Sequence, residues 1–551
     1  MSGKALISAV VVMVIGSLAS GIHAKECSRF VTAAMRANAL ANVDEYPWAA
    51  SEQQDAIAKA EVWAQCSDQK LWGLITSHEL PRDPHTNPFV GCPHCGKELT
   101  PYGNYPWEFD FWHNPWKLKC PNCGNVYPKN DFYAFYKSAL DEHGFFRRDL
   151  GDRSLLFNAE HPDPDDPLHK IYVDDGYGMV DENGKNHTMI AHYNEFGHWR
   201  KILSGLSALR KAYTLTGDRL YAHKAAVLLD RIADVYPRMD YMAVNELGFD
   251  PPDTSYRQRG RIFYRTWENW VGQTMAETYD CIFDGIQGDE ELVRFCSDQS
   301  ARYKLGDKSS IEAICRHIED HLLLEILKSV KDGRIWGNTG MHQLTLTRAA
   351  IALDRPEAST EWLDYLFNPR FPEHVEERYK GEPETIASAR DSIPRVFVEK
   401  LTRDGIGAEC GGYGIGWTRR LRGLPEVFAK YPEYTGHNLL DDFPKLKQCF
   451  LVEGRLNCLD AAFPPIGDSG STGRWGRIGS ASTFLKGFKL YGDPRMATLA
   501  WHYAEHNTDQ LRGSVYDADP MAMAQRIAEI GKARPFKLQC DHLGRYGQAV
   551  L

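Results

Sequence analysis

From about residue 195 to 535 apolar side chains recur every three or four positions, the spacing that lays a single stripe along a helix. The stretch "HWRKILSGLSALRKAYTLTGDRLYAHKAAVLLDRIADVYPRM" (198–239) reads as two amphipathic helices joined by "TGD". Gly217 suits the end of the first and Asp218 the start of the second. The same punctuation returns at Gly492-Asp493 in "LKGFKLYGDPRMATLAWHYAEH", and more loosely in "AAIALDRPEASTEWLDYL" (349–366). Residues 25–80 also carry helical spacing, as in "VWAQCSDQKLWGLI" (62–75). No strand-rich stretch interrupts the array. The pattern predicts a mainly α fold, an (α/α) toroid or solenoid of antiparallel helix pairs.

The periodicity fails in three places. Residues 1–24 have a lysine, then the apolar run "ALISAVVVMVIGSLAS", then "IHA" before Lys25, which predicts a signal peptide cleaved after Ala24. That run is short for a membrane span, and periplasmic or secreted placement follows. Residues 81–130 are rich in Pro, Gly, Asn and aromatics and hold the knuckles "GCPHCGKEL" and "KCPNCGNVYP". After 536 the chain ends "KLQCDHLGRYGQAVL", whose "YGQAVL" reads as an entering strand with no partner downstream, which either docks on the helical body or opens a β-domain. Between these, "HPDPDDP" (161–167) marks surface loops. The implied division is 1–24 signal peptide, 25–87 helical segment, 88–130 zinc-ribbon-like insert, 131–535 helical body and 536–551 a final strand region.

In the knuckles Cys92 and Cys95 are two apart, as are Cys120 and Cys123, with 24 residues between the pairs. Four thiolates close a tetrahedron around zinc and leave no open position, so the metal is expected to hold structure and not to catalyse. Two local disulfides are the alternative. His94 is expected on the knuckle surface.

The chain has 551 residues and 43% hydrophobic residues, ample for a large core. A net charge of −10 excludes a global field for nucleic acid, so a polyanionic substrate would need a local Arg/Lys cluster. Aromatics reach 12%, which suits sugar stacking and large cores alike. The other nine of the 13 cysteines follow no disulfide-framework rhythm.

Two stretches concentrate chemistry. "IWGNTGMHQLTLTRAAIAL" (335–353) runs from a loop into an apolar helix, with Asn338 near its start and His342 four residues on, expected on the same face. As a bare pattern these are equally a helix cap and a core histidine. "RDGIGAECGGYGIGWTRRLRGL" (403–424) crowds six glycines around Glu409 and Tyr413 and ends in Arg419, Arg420 and Arg422. Glycine lets backbone approach a ligand, and a tyrosine beside arginine can serve as acid or base. A glycine-rich connector is the plain alternative. "SYRQRGRIFYRTWENW" (255–270) places Arg257, Arg259, Arg261 and Arg265 among aromatics, a lining for a polyanionic sugar chain or a salt-bridged surface. "HYNEFGHWRK" (192–201), with His198, supports it, and "FPPIGDSGSTGRWGR" (463–477), with Asp468, could rim a cleft.

In order along the chain, "WENWVGQTMAETYDCIFD" (267–284), "GNTGMHQ" (337–343), "DGIGAECGGYGIG" (404–416) and "PPIGDSG" (464–470) resemble the heparinase II/III-like polysaccharide lyases, a group that includes oligoalginate and heparan sulfate lyases. The resemblance covers roughly residues 60–551. It implies an α/α toroid followed by a β-sandwich and β-elimination at a uronic acid. Asn338 would neutralise the sugar carboxylate and Tyr413 would be the catalytic acid, and the base where the geometry is syn. His342 lies near the family's Asn/His site but is offset, since Thr339 stands beside the asparagine. Glu409 would orient His or Tyr. His198, Arg257, Arg261, Trp267, Glu268 and Arg419 complete the expected substrate-binding set, the arginines on charge alone. The chain stops where the sandwich should begin, so a truncated sandwich and weak or no activity alone are expected. Competing readings are a glycoside hydrolase using Glu268, Asp404 or Glu409, and a non-catalytic glycan-binding protein.

Overall fold

The computed structural model describes residues 25–83, 91–103, 105–241, 260–369, 391–409, 411–464 and 476–550. These are mainly helical, with three small antiparallel sheets. The signal segment, Arg257, Arg259 and Asp468 lie outside the described residues.

The helical pairing is built from local punctuation. The helix Arg200–Thr216 buries Ile202, Leu203, Leu206, Leu209 and Tyr213 along one stripe. Gly217 ends it at a φ of 72°, and its amide donates to the Tyr213 carbonyl at 2.8 Å. The Asp218 carboxylate then accepts from the Leu220 amide and starts Arg219–Val235, which folds back on its predecessor. This second helix is buried nearly all round, because Arg265–Ile286 covers it from another side. Arg265–Ile286 packs in turn on Met341–Leu353. Pro47–Ala64 lies outside Arg200–Thr216, where Gly205 leaves room for Trp63: a Cβ there would fall 2.4 Å from the indole. One apolar core runs through these elements from Ala60 to Cys449. Gly492, at a φ of 61°, and Asp493, accepting from the Arg495 amide at 2.9 Å, repeat the turn between Ala481–Tyr491 and Pro494–Tyr503. Those two helices and Ala524–Ala533 share a second core.

The cysteine region carries a three-stranded sheet, Glu108–Asp110, Asn114–Lys119 and Val126–Tyr127. Its apolar cluster joins Trp107, Trp116 and Tyr127 to Phe132, Phe135, Phe146 and Tyr193, so the packed unit runs past residue 130. Composition drops its Pro/Gly bias at 130, but the aromatics that complete this small core come from the next sixty residues.

The end of the chain is a short hairpin. Gln548–Val550 has a partner upstream: it pairs antiparallel with Asp541–Leu543. This hairpin docks on the helical body. Arg455 grips Asp541 at 2.7 and 2.9 Å, and Asp404 accepts the amides of Arg545 and Tyr546. Among the described residues no helix is long and apolar enough to cross a membrane.

Candidate functional site

Two constellations emerge, one of cysteines and one around the glycine-rich helix. In the first, each knuckle is a tight turn. Cys92 and Gly96 exchange backbone hydrogen bonds at 2.9 Å each, and the Gly124 amide donates to the Cys120 carbonyl. Gly96 and Gly124 take the positive φ values, 58° and 76°, that such turns demand. The turns bring all four sulfurs within 4.8 Å of one another. Cys92–Cys123 and Cys95–Cys120 each stand at 3.7 Å. A tetrahedron with metal–thiolate bonds of about 2.3 Å has edges of about 3.8 Å, so the spacing fits a metal ion and is far too long for S–S bonds. Burial pushes the Cys92 thiol up, although the amides of Cys95 and His94 favour its thiolate. A bound cation is what would offset that burial. The His94 side chain is exposed and takes no part. Among the described residues the remaining cysteines are unpaired.

The second constellation forms where the 337–343 turn meets the helix Gly411–Phe428. Gly340, at a φ of 90°, precedes Met341–Leu353, and Gln343 caps it by accepting the Gly340 amide at 3.1 Å. Asn338 therefore sits in the turn before the helix, its carbonyl accepting from the Met341 amide. It does not share a helical face with His342, because the left-handed Gly340 turns the chain between them. Gly340 also sets the approach of the neighbour: a Cβ there would lie 2.6 Å from the Cβ of Arg420. Arg420 and Tyr413 stand two turns apart on Gly411–Phe428, hence on one side of it. Burial lowers the Arg420 guanidinium from its ordinary value, against the opposing pull of Glu409 and Tyr413. Its Nη1 is buried without a hydrogen-bond partner among the described residues. Tyr413 and Glu409 are exposed. On the other side of the turn a Cβ at Gly337 would meet Thr266 at 3.3 Å and Asn269 at 3.1 Å. The Trp336 carbonyl accepts from Asn269, and the indole lies under the Arg265 guanidinium at 4.3 Å. His342 is buried beneath this surface, and burial drives its imidazole down to about 4, so it is neutral at pH 7.

Several expected substrate-binding residues lie elsewhere. His198 is a core histidine: its Nε2 bonds the Leu74 carbonyl, its ring stacks on Trp116 at 5.0 Å, and burial holds it down at about 4. Arg261 is buried on Ser329, the carbonyls of Tyr236 and Pro237, and Glu325 at 2.6 Å. Glu268 is fully buried and accepts from the Tyr236 hydroxyl and the Phe263 amide. Arg419 makes a two-pronged pair with Glu453 at 3.0 and 3.1 Å. Trp267 is different, with 45% of its surface open. The guanidinium that shares an electrostatic neighbourhood with Tyr413 and keeps a nitrogen without a partner belongs to Arg420, which the sequence offers only as one member of an arginine run.

No protein-family model matches the chain, and no curated protein does.

Proposed function

We propose that the protein is an exported polysaccharide lyase that cleaves a uronic-acid-containing polysaccharide by β-elimination. One observation carries this reading: the turn bearing Asn338 abuts the side chain of Arg420, with Tyr413 and Glu409 acting on the same guanidinium. An amide on the turn, a guanidinium with one buried nitrogen lacking a partner, and a phenol on the same helix suit a substrate carboxylate next to an acidic C–H. Asn338 and Arg420 would hold the uronate carboxylate and draw charge away from C5. The Tyr413 oxygen would take the C5 proton and deliver a proton to O4 as the C4–O4 bond breaks and C4=C5 forms, consuming no water. Glu409 would orient the phenol and Arg420. His342, neutral and buried, would support the turn from beneath. The helix pairs are read as an α/α toroid carrying this cleft, and the first 24 residues as the export signal. Cys92, Cys95, Cys120 and Cys123 would hold a zinc ion with no open position, supplying cross-linking to a loop-rich unit and no chemistry to the substrate.

Carboxylate engagement favours elimination over hydrolysis. Of the acids a hydrolase would need, Glu268 is buried and bonded on both oxygens, and Asp404 is committed to the terminal hairpin. The test is the mass of the products from uronate polysaccharides. Elimination gives fragments whose new non-reducing end is one water lighter than that of hydrolysis. Saturated fragments would overturn the proposal, and binding without cleavage would leave only a glycan-binding protein.

A further inference from the structure

The segment Tyr193–Trp199 is wound as a π-helix, a local widening that proteins keep mostly at functional positions. On it the cysteine-centred unit meets the helical body. Phe196 stacks on Tyr105 with centroids 4.4 Å apart at 28°. Gly197 admits Phe109, whose ring would lie 3.2 Å from a Cβ placed there. One turn on, Arg200 lays its guanidinium over Phe196 at 3.7 Å, with Trp267 at 5.7 Å and Tyr105 and Phe263 each at 5.9 Å. Phe263 in turn contacts Trp270.

This cation is set among rings, with no carboxylate in ion-pair contact among the described residues. Arg200 forms no ion pair among the described residues, and its Nε is buried with no hydrogen-bond partner. Burial lowers it, and Glu195 is the first charge that counters this. Glu195 is itself engaged, accepting from the Tyr241 hydroxyl at 2.6 Å, and burial pushes it up to about 8. Its carboxyl is thus shared with Tyr241 and is not bonded to Arg200. A partly buried guanidinium ringed by aromatics, with its Nε lacking a hydrogen-bond partner, favours a ligand that brings an anionic acceptor. The rings beside it are open: Tyr105 is 41% and Trp267 45% exposed. Flat open rings suit the C–H faces of a pyranose, and a guanidinium between them suits a carboxylate. Trp267 is also tied to the candidate centre through its neighbour Thr266, whose methyl would lie 3.3 Å from a Cβ on Gly337, the residue before Asn338.

We propose that Arg200, with Tyr105 and Trp267 beside it, is a second uronate subsite, holding an acidic sugar further along the chain from the one at Asn338 and Tyr413. The cysteine unit thereby forms one wall of the cleft. This rests on the polysaccharide reading and names how a longer substrate is held.

Calorimetric titration of the full chain with short hexuronate oligomers, and with the same oligomers reduced at their carboxyls, tests it without requiring turnover. Arg200→Gln should weaken binding of the acidic oligomers about tenfold or more and leave the neutral ones unchanged. Tyr105→Ala and Trp267→Ala should weaken both. Arg200→Lys, which keeps the charge, should recover part of the loss, and an unchanged thermal midpoint would exclude unfolding as the cause. Unchanged affinity of Arg200→Gln for acidic oligomers, or equal loss for acidic and neutral ones, would overturn the subsite. If the subsite behaves as stated but no polymer yields unsaturated product, the elimination reading falls and the subsite stands. If elimination occurs and Arg200→Gln binds normally, the reverse holds.

Discussion

Gly340 is the residue on which the candidate centre turns. It holds a φ of 90° and touches the Arg420 side chain, so a methyl group there meets both backbone strain and a clash. Gly340→Ala should cost about 1–3 kcal/mol in urea unfolding and separate Asn338 from Arg420. Arg420→Gln should lower kcat/KM for acidic polymers about 10²-fold or more, whereas Arg419→Gln, whose wild-type side chain is held by Glu453, should matter far less. Steady-state kinetics on both variants checks this. Sequence could not make that choice. Adjacent residues point about 100° apart on a helix, and an arginine run does not say which member faces the turn. His198, Arg261 and Glu268 were unreadable for a related reason: their partners, Leu74, Ser329 and Tyr236, are brought near only by the fold.

Elements were most legible where the signal is local. Gly217-Asp218 and Gly492-Asp493 name their own caps because the bonds span only two to four residues. Asp218→Ala should therefore cost about 1 kcal/mol, read from urea denaturation. The cysteine unit was equally legible, because each knuckle supplies two ligands from one turn. Its extent was not, because Phe132 to Tyr193 join its core through tertiary packing alone. A strong chelator, or Cys95→Ser, should lower the thermal midpoint and speed hydrogen exchange across Glu108–Tyr127, while exchange in Met341–Leu353 stays slow. In the terminal hairpin "YGQAVL" was legible as a strand, but its partner Asp541–Leu543 escaped because three residues have no usable periodicity.

At the scale of the whole molecule, long-range charge pairs tie the helices together. Lys25 is buried against Asp280 at 2.7 Å, anchoring the first described residues to Arg265–Ile286. His223 sits between Asp289 at 2.9 Å and Asp68 at 3.2 Å. Burial opposes its proton, but the two carboxylates overcome that and hold the imidazolium up to about 9. Since this exceeds the unfolded value of about 6.5, its stabilisation is complete below pH of about 6.5 and is lost as pH rises through about 9. Unfolding free energy should fall across that window, and His223→Gln should flatten the fall. The proposed elimination would draw on Asn338 from a turn and on Arg420 and Tyr413 from a helix, and ultraviolet absorbance reads it most directly. Incubated with a panel of uronate polysaccharides at high protein concentration, the chain should raise near-ultraviolet absorbance with at least one polymer, and Tyr413→Phe should abolish that rise while still binding the polymer. Reducing ends without absorbance, or full turnover by Tyr413→Phe, would contradict β-elimination at this site.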